Sequence, residues 1–106
     1  MSAPFRIALA GLGTVGVGVI RLLERNAALI AERAGRPIAV VAVSARDRRR
    51  DRGIDIGRFR WHDDATALAE RKDVDAVVEL IGGADGPALA LAKATLSAGK
   101  PFVTAN

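Results

Sequence analysis

Apolar residues fall in two rhythms that alternate along the chain. Phe5-Arg6-Ile7-Ala8-Leu9-Ala10 is a short apolar run that stops at a glycine cluster, which predicts a strand buried on both faces. From residue 15 to about 33 the spacing changes to threes and fours. Val15, Val19, Leu22, Leu23, Ala27 and Ile30 share one stripe, so a single amphipathic helix is predicted there, with Gly35 and Pro37 beyond its end. Residues 38–43 are unbroken and largely β-branched, a second buried strand. A polar stretch containing Gly53 and Gly57 follows, read as a loop with a short strand near residues 59–61. Asp64 is placed to cap a short helix from 65 to about 71, and residues 76–81 form another strand, stopped by Gly82-Gly83. A helix from about Pro87 to Ala98 sets Leu89, Ala92 and Leu96 on one stripe, and Gly99 stands where a helix-ending glycine belongs. Residues 101–104 begin a last strand.

Strands and helices alternating at this spacing predict an α/β fold: an open, doubly wound, mostly parallel sheet with helices on both faces and right-handed crossovers. The chain has 106 residues, enough for one domain, and no repeat or linker divides it. Stopping two residues past a strand suggests a truncated domain. The absence of cysteine excludes disulfides, thiolate metal sites and cysteine nucleophiles. No apolar run is long enough to cross a bilayer and the amino terminus is not a secretory signal, so a soluble, cytoplasmic protein without a membrane partner is expected.

Charge is concentrated in one place. Residues 46–60 hold seven arginines against three aspartates and so carry the whole net charge of +4; the remainder is balanced. The loop is basic, whereas the domain is not.

Gly11-Leu12-Gly13-Thr14-Val15-Gly16 has the form G-x-G-x-x-G. Its place between a predicted strand and a predicted helix gives the motif its weight, and makes the domain Rossmann-type. Gly11 makes the tight turn, Gly13 lets the backbone approach a pyrophosphate, and Gly16 lets the helix pack closely. Free N–H groups and the positive end of the helix then face the anion, and Thr14 adds a hydroxyl. At the end of the second strand, where a domain preferring NAD usually has an acidic residue, the chain has Val43-Ser44-Ala45-Arg46-Asp47. Ser44 and Arg46 suit a 2′-phosphate, and Arg48 to Arg50 add positive potential, so NADP is expected ahead of NAD. Asp47 comes late for the ribose role. Apart from Arg46, the arginines through Arg52 are read as a solvated loop. Gly82-Gly83 and Thr104-Ala105-Asn106 should emerge at the same carboxyl edge of the sheet, where they can line the nicotinamide side; the Gly pair serves equally well as a simple strand terminator.

Other tempting residues carry less. His62, beside Trp61 and Asp63, reads as a solvated residue of a surface connection. Glu79, in an apolar strand, needs hydrogen-bond partners and is read as structural. Asp63-Asp64 is a helix start and not a metal pair. No catalytic or metal-ligating constellation emerges: the domain holds a cofactor and does not perform the chemistry.

Three segments together resemble homoserine dehydrogenase: residues 7–19 its amino-terminal fingerprint, residues 73–83 its fourth-strand segment, and residues 94–106 the helix and strand leading to that family's Thr-Ala-Asn-Lys. Val41-Ala42-Val43-Ser44 fits its second strand. The resemblance implies an NAD(P)-dependent interconversion of aspartate semialdehyde and homoserine, towards threonine and methionine. It assigns Leu12, Gly13, Thr14 and Val15 to the pyrophosphate, Arg46 to the adenosine ribose or its phosphate, and Gly82, Thr104 and Asn106 to the nicotinamide side. The family's lysine, substrate residues and dimerising region would follow Asn106. A homo-oligomer acting on a small-molecule substrate is therefore implied for the full-length enzyme only. Other Rossmann dehydrogenases lack the Glu-Leu-Ile-Gly-Gly and Val-Thr-Ala-Asn pair at this separation. A nucleic-acid-binding module would use the arginine loop, but the aromatic platform for single strands is missing.

Overall fold

A computed structural model describes residues 3–81 and 86–105. Five strands, β1 (Phe5–Ala10), β2 (Ile38–Ser44), β3 (Arg60–His62), β4 (Ala76–Glu79) and β5 (Phe102–Thr104), form one sheet in the order β3-β2-β1-β4-β5. All four pairings are parallel. The first strand in sequence is therefore central, and the chain winds outward from it in both directions, as the alternation of elements predicts. The β1–β2 ladder slips once: Ile7 faces Val40 but Ala8 faces Ala42, leaving Val41 as an extra residue.

Helices cover both faces. On one, Leu68 of α3 (Thr66–Ala69) and Leu91 of α4 (Pro87–Ser97) pack on Ala8, Ala10, Ala42 and Val77. On the other, Ile20 of α1 (Thr14–Arg25) packs on Leu9, Leu12 and Val43, with Phe59 and Trp61 at the margin. Alanines in the first layer let α3 and α4 lie close to the sheet. At the amino edge, the Asp75 carboxylate accepts from the Arg6 backbone N–H at 2.8 Å and pairs with its guanidinium at 3.2 Å.

The single helix expected over residues 15–33 is two helices, α1 and α2 (Ala27–Ala34), broken at Asn26. The Asn26 side chain donates to the Leu22 carbonyl at 3.1 Å, a local bond that competes with continuing the helix. The packed stripes also differ from the spacing. Val15 and Leu22 face outward, and Gly16, Val17 and Ile20 are buried. In α4 the buried residues are Ala88, Leu91 and Thr95, while Leu89 and Leu96 are exposed. Gly99 does end α4: its N–H bonds to the Leu96 carbonyl and the Lys100 N–H to that of Thr95, the paired bonds of a Schellman cap. The short helix after Asp64 stops at Ala69, because the chain must turn for Val74 to enter the core and Asp75 to meet Arg6. Among the described residues, no helix is long and apolar enough to cross a membrane.

Candidate functional site

Gly11 leaves the carboxyl end of β1 between two neighbours: its N–H bonds to the Ser44 carbonyl of β2 at 2.8 Å, and the Leu80 N–H to the Ala10 carbonyl at 2.7 Å. The three glycines of the motif have different reasons for being there. Gly11 has φ +100°, in the region that favours glycine, and an added Cβ would lie 2.7 Å from the Leu80 backbone. A Cβ on Gly16 would lie 2.0 Å from the Gly11 carbonyl oxygen, so the first turn of α1 closes directly on the loop that precedes it. A Cβ on Gly13 would meet nothing within 4 Å. Gly13 opens α1 with no side-chain cap, and no acidic residue stands in the first turn. Uncapped N–H groups, the positive end of the helix dipole and open space therefore coincide at Gly13, which suits an anion that approaches backbone closely. Leu12 is buried and anchors the turn in the core, whereas Thr14 and Val15 are exposed.

Beside the turn lies a cavity of about 610 Å³ across the ends of β1 and β2, lined by Gly11, Leu12, Ser44, Ala45, Arg46 and Asp47. Arg50 and Arg52 close it from the loop after β2, Asp63 to Thr66 from the loop after β3, and Ile81, Pro87 and Ala90 from the β4 side. A second cavity of about 450 Å³ lies on the outer side of the turn, against Gly13, Thr14, Gly18 and Arg21, with Arg50, Asp51 and Arg52 again in its wall. The loop read as solvated thus supplies two walls of the cleft. Arg52, expected in solvent, is half-buried, because it lies over the Trp61 ring and bonds to the turn.

Each acidic group at the cleft has an oxygen already engaged. Asp47 accepts from the Arg49 N–H at 3.0 Å and Asp63 from the Trp61 indole at 2.8 Å. Asp64 accepts from the Thr66 hydroxyl at 2.8 Å and its N–H at 2.9 Å, and these bonds, the hydroxyl's first, hold its carboxyl below the usual range. Arg46 and Arg50 make no ion pair among the described residues, where the ion pairs are Arg6–Asp75, Arg58–Glu24 and Arg71–Asp73.

On the far side of the cleft, buried Glu79 at the end of β4 accepts from the Thr104 hydroxyl and from the Ile81 N–H, both at 2.5 Å. The carboxylate ties the ends of β4 and β5 together, the hydrogen-bonded role expected of it. Gly82 and Asn106 lie outside the described residues. His62 departs from expectation: it ends β3, half-buried, with Nε2 2.9 Å from Nη1 of Arg71. Its register places it opposite Ser44, so it belongs to the sheet and not to a surface connection. The Lys100 ammonium donates to the Arg71 carbonyl. The sequence alone missed Asp63 to Thr66 and Arg52 as cleft residues. Their signal was topological, since a strand placed outside β2 carries its following loop to the same edge.

Open space over an uncapped helix end, at the carboxyl edge of a parallel sheet, is where Rossmann-type domains hold a dinucleotide, and this chain is of that class. Over residues 11–106 it matches the homoserine dehydrogenase, NAD binding domain family, and it belongs to that family. It is 41% identical to the homoserine dehydrogenase of Helicobacter pylori over 106 residues, covering 100% of this chain and 24% of that protein. With that of Methylobacillus glycogenes identity is 43% over 103 residues, 97% of this chain and 25% of that one. The solved homoserine dehydrogenase of Thiobacillus denitrificans superposes with a TM-score of 0.88 at 38% identity, over 98% of this chain and 24% of that one. The chain thus spans about a quarter of the length of the relatives it matches.

Proposed function

We propose that residues 1–106 form the NAD(P)-binding domain of a homoserine dehydrogenase, an enzyme interconverting L-aspartate 4-semialdehyde and L-homoserine, and that the domain prefers NADP(H). The observation that carries the preference is the state of the charges at the cleft: its carboxylates are engaged in local turns, whereas Arg46 and Arg50 have no ion-pair partner among the described residues. In this reading the N–H groups of Leu12, Gly13, Thr14 and Val15, on a turn shaped by Gly11 and Gly16, hold the pyrophosphate. Ser44 and Arg46 hold the adenosine ribose and its 2′-phosphate. Gly82, Thr104 and Asn106 flank the nicotinamide, with Glu79 fixing the Thr104 hydroxyl.

A dinucleotide held here would supply hydride chemistry for the carbon that is a carbonyl in the semialdehyde and an alcohol in homoserine. This chain's residues bind and orient; among the described residues none is placed to move the substrate's proton. Lys100 is held by the Arg71 carbonyl, His62 Nε2 faces the Arg71 guanidinium, and the chain has no tyrosine. Substrate binding, catalysis and homo-oligomer formation are therefore assigned to the rest of a full-length, cytoplasmic enzyme, and the 106-residue chain is expected to bind NADPH without oxidising homoserine. The arginine loop serves the cofactor and not nucleic acid, so NADPH should bind in preference to RNA at moderate salt.

Calorimetric titration tests the assignment. Arg46→Ala should weaken NADPH by about tenfold or more, the effect of losing a charge-assisted contact, and leave NADH nearly unchanged. Equal losses for both cofactors would remove Arg46 from the 2′-phosphate, and homoserine turnover by the purified chain would overturn the division of roles.

A further inference from the structure

We infer that Arg52 is a phosphate ligand of the cleft, reaching the dinucleotide's pyrophosphate from the loop after β2; this rests on the dinucleotide reading above. Unlike its exposed neighbours Arg48, Arg49 and Arg50, Arg52 is half-buried and held from three sides. Its Nε donates to the Leu12 carbonyl at 3.2 Å, its Nη1 donates to the Arg50 carbonyl at 3.3 Å, and its guanidinium carbon lies 5.5 Å from the centroid of the Trp61 ring. A guanidinium has five N–H donors, and these contacts use two. The rest belong to a side chain whose orientation is set before any ligand arrives, anchored to Leu12, the residue before Gly13, in the wall shared by the two cavities on either side of the turn.

A structural pin would also explain the bond to Leu12. The loop is already latched elsewhere: Arg21 donates to the Gly53 carbonyl at 3.2 Å, and Arg58 grips Glu24 with two bonds of 2.6 and 3.0 Å. What Arg52 adds is a pre-oriented cation in the wall of the same cavity as the open space over Gly13, where arginine can take a phosphate with paired donors. Because the pyrophosphate is common to both cofactors, Arg52 should affect NADH and NADPH alike, the opposite of Arg46.

The test titrates the chain and its Arg52→Gln and Arg52→Lys variants with NADH and NADPH by calorimetry across a salt series, and with adenosine by NMR shifts. Gln should weaken both cofactors by about tenfold, flatten the salt dependence and leave adenosine binding as it was, and Lys should recover part of the loss. Unchanged cofactor affinity, a loss confined to NADPH, or an equal loss for adenosine would overturn the proposal; the last would mark Arg52 as a pin. Should Gln fail to fold, the Lys variant decides: a weaker affinity for both cofactors with adenosine unchanged supports the assignment, and any other pattern overturns it. Failure of the unsubstituted chain to bind either cofactor would instead reject the dinucleotide reading itself.

Discussion

Two glycines three residues apart answer to different constraints, and substitution should separate them. Gly16→Ala forces a Cβ to 2.0 Å from the Gly11 carbonyl oxygen, so α1 must shift off the turn. Overpacking against backbone should cost about 3 kcal/mol or more, read from chemical denaturation. Gly13→Ala meets open space at a φ of −78° that any residue adopts, and should change stability by less than about 1 kcal/mol while weakening NADPH binding. A second residue-level expectation concerns acid. Hydrogen bonds from the Arg6 side chain and then its backbone hold the Asp75 carboxyl below the usual range. A carboxyl lowered in the folded state stabilises fully above its unfolded value of about 3.9 and loses that contribution as pH falls through the folded value. Asp75→Asn keeps an acceptor without the charge. The difference in Tm between parent and variant should be largest near neutrality and shrink as pH falls below the unfolded value of about 3.9, and a gap that widened with acid would contradict the assignment.

Helices α1 and α4 raise the question of which face a helix presents. Leu91 is buried between α4 and the sheet, so Leu91→Ala should cost about 2–5 kcal/mol. Leu96 is 65% exposed, and Leu96→Ala should fall within about 0.5 kcal/mol, although spacing alone puts Leu96 on the packed stripe. Equal costs would return the helix to the rotation read from spacing. The existence and order of the elements were legible because β1, β2 and β4 are largely apolar, with Arg6, Ser44 and Glu79 the exceptions, and the helices repeat every three to four residues. Rotation was not legible in the same way. In α1 the contact between Gly16 and the Gly11 carbonyl turns Val17 and Ile20 inward, and no count of apolar side chains registers a glycine as a packing residue. In α4, Thr95 is buried because its hydroxyl bonds the Leu91 carbonyl at 2.7 Å, which lets a polar residue occupy a core position. For the site, the turn was readable from the motif's own spacing, and Ser44 and Arg46 from their place at the close of the next apolar strand. Asp63 to Thr66 and Arg52 were not, since they reach the cleft only after β3 has paired outside β2.

At the scale of the whole molecule, the strand order has a consequence in time. The strand synthesised first, β1, lies at the centre, and its two partners begin at Ile38 and Ala76. The Arg6–Asp75 contact closes a separation of 69 residues. Until β4 emerges, Ala8 and Ala10 have no Val77 beside them and no Leu91 above, so one face of the β1–β2 half is covered only by the short helix that carries Leu68. Closing so long a loop before its contacts form slows folding and keeps apolar strand edges exposed meanwhile. A chain halted before Ala76 should show no cooperative thermal transition and no protected amides in β1 by hydrogen exchange; protection there would mean that the first half folds alone. For a nascent chain, the glycine turn would then take its binding shape only when β4 arrives, because the Leu80 N–H that fastens the end of β1 is one residue past that strand.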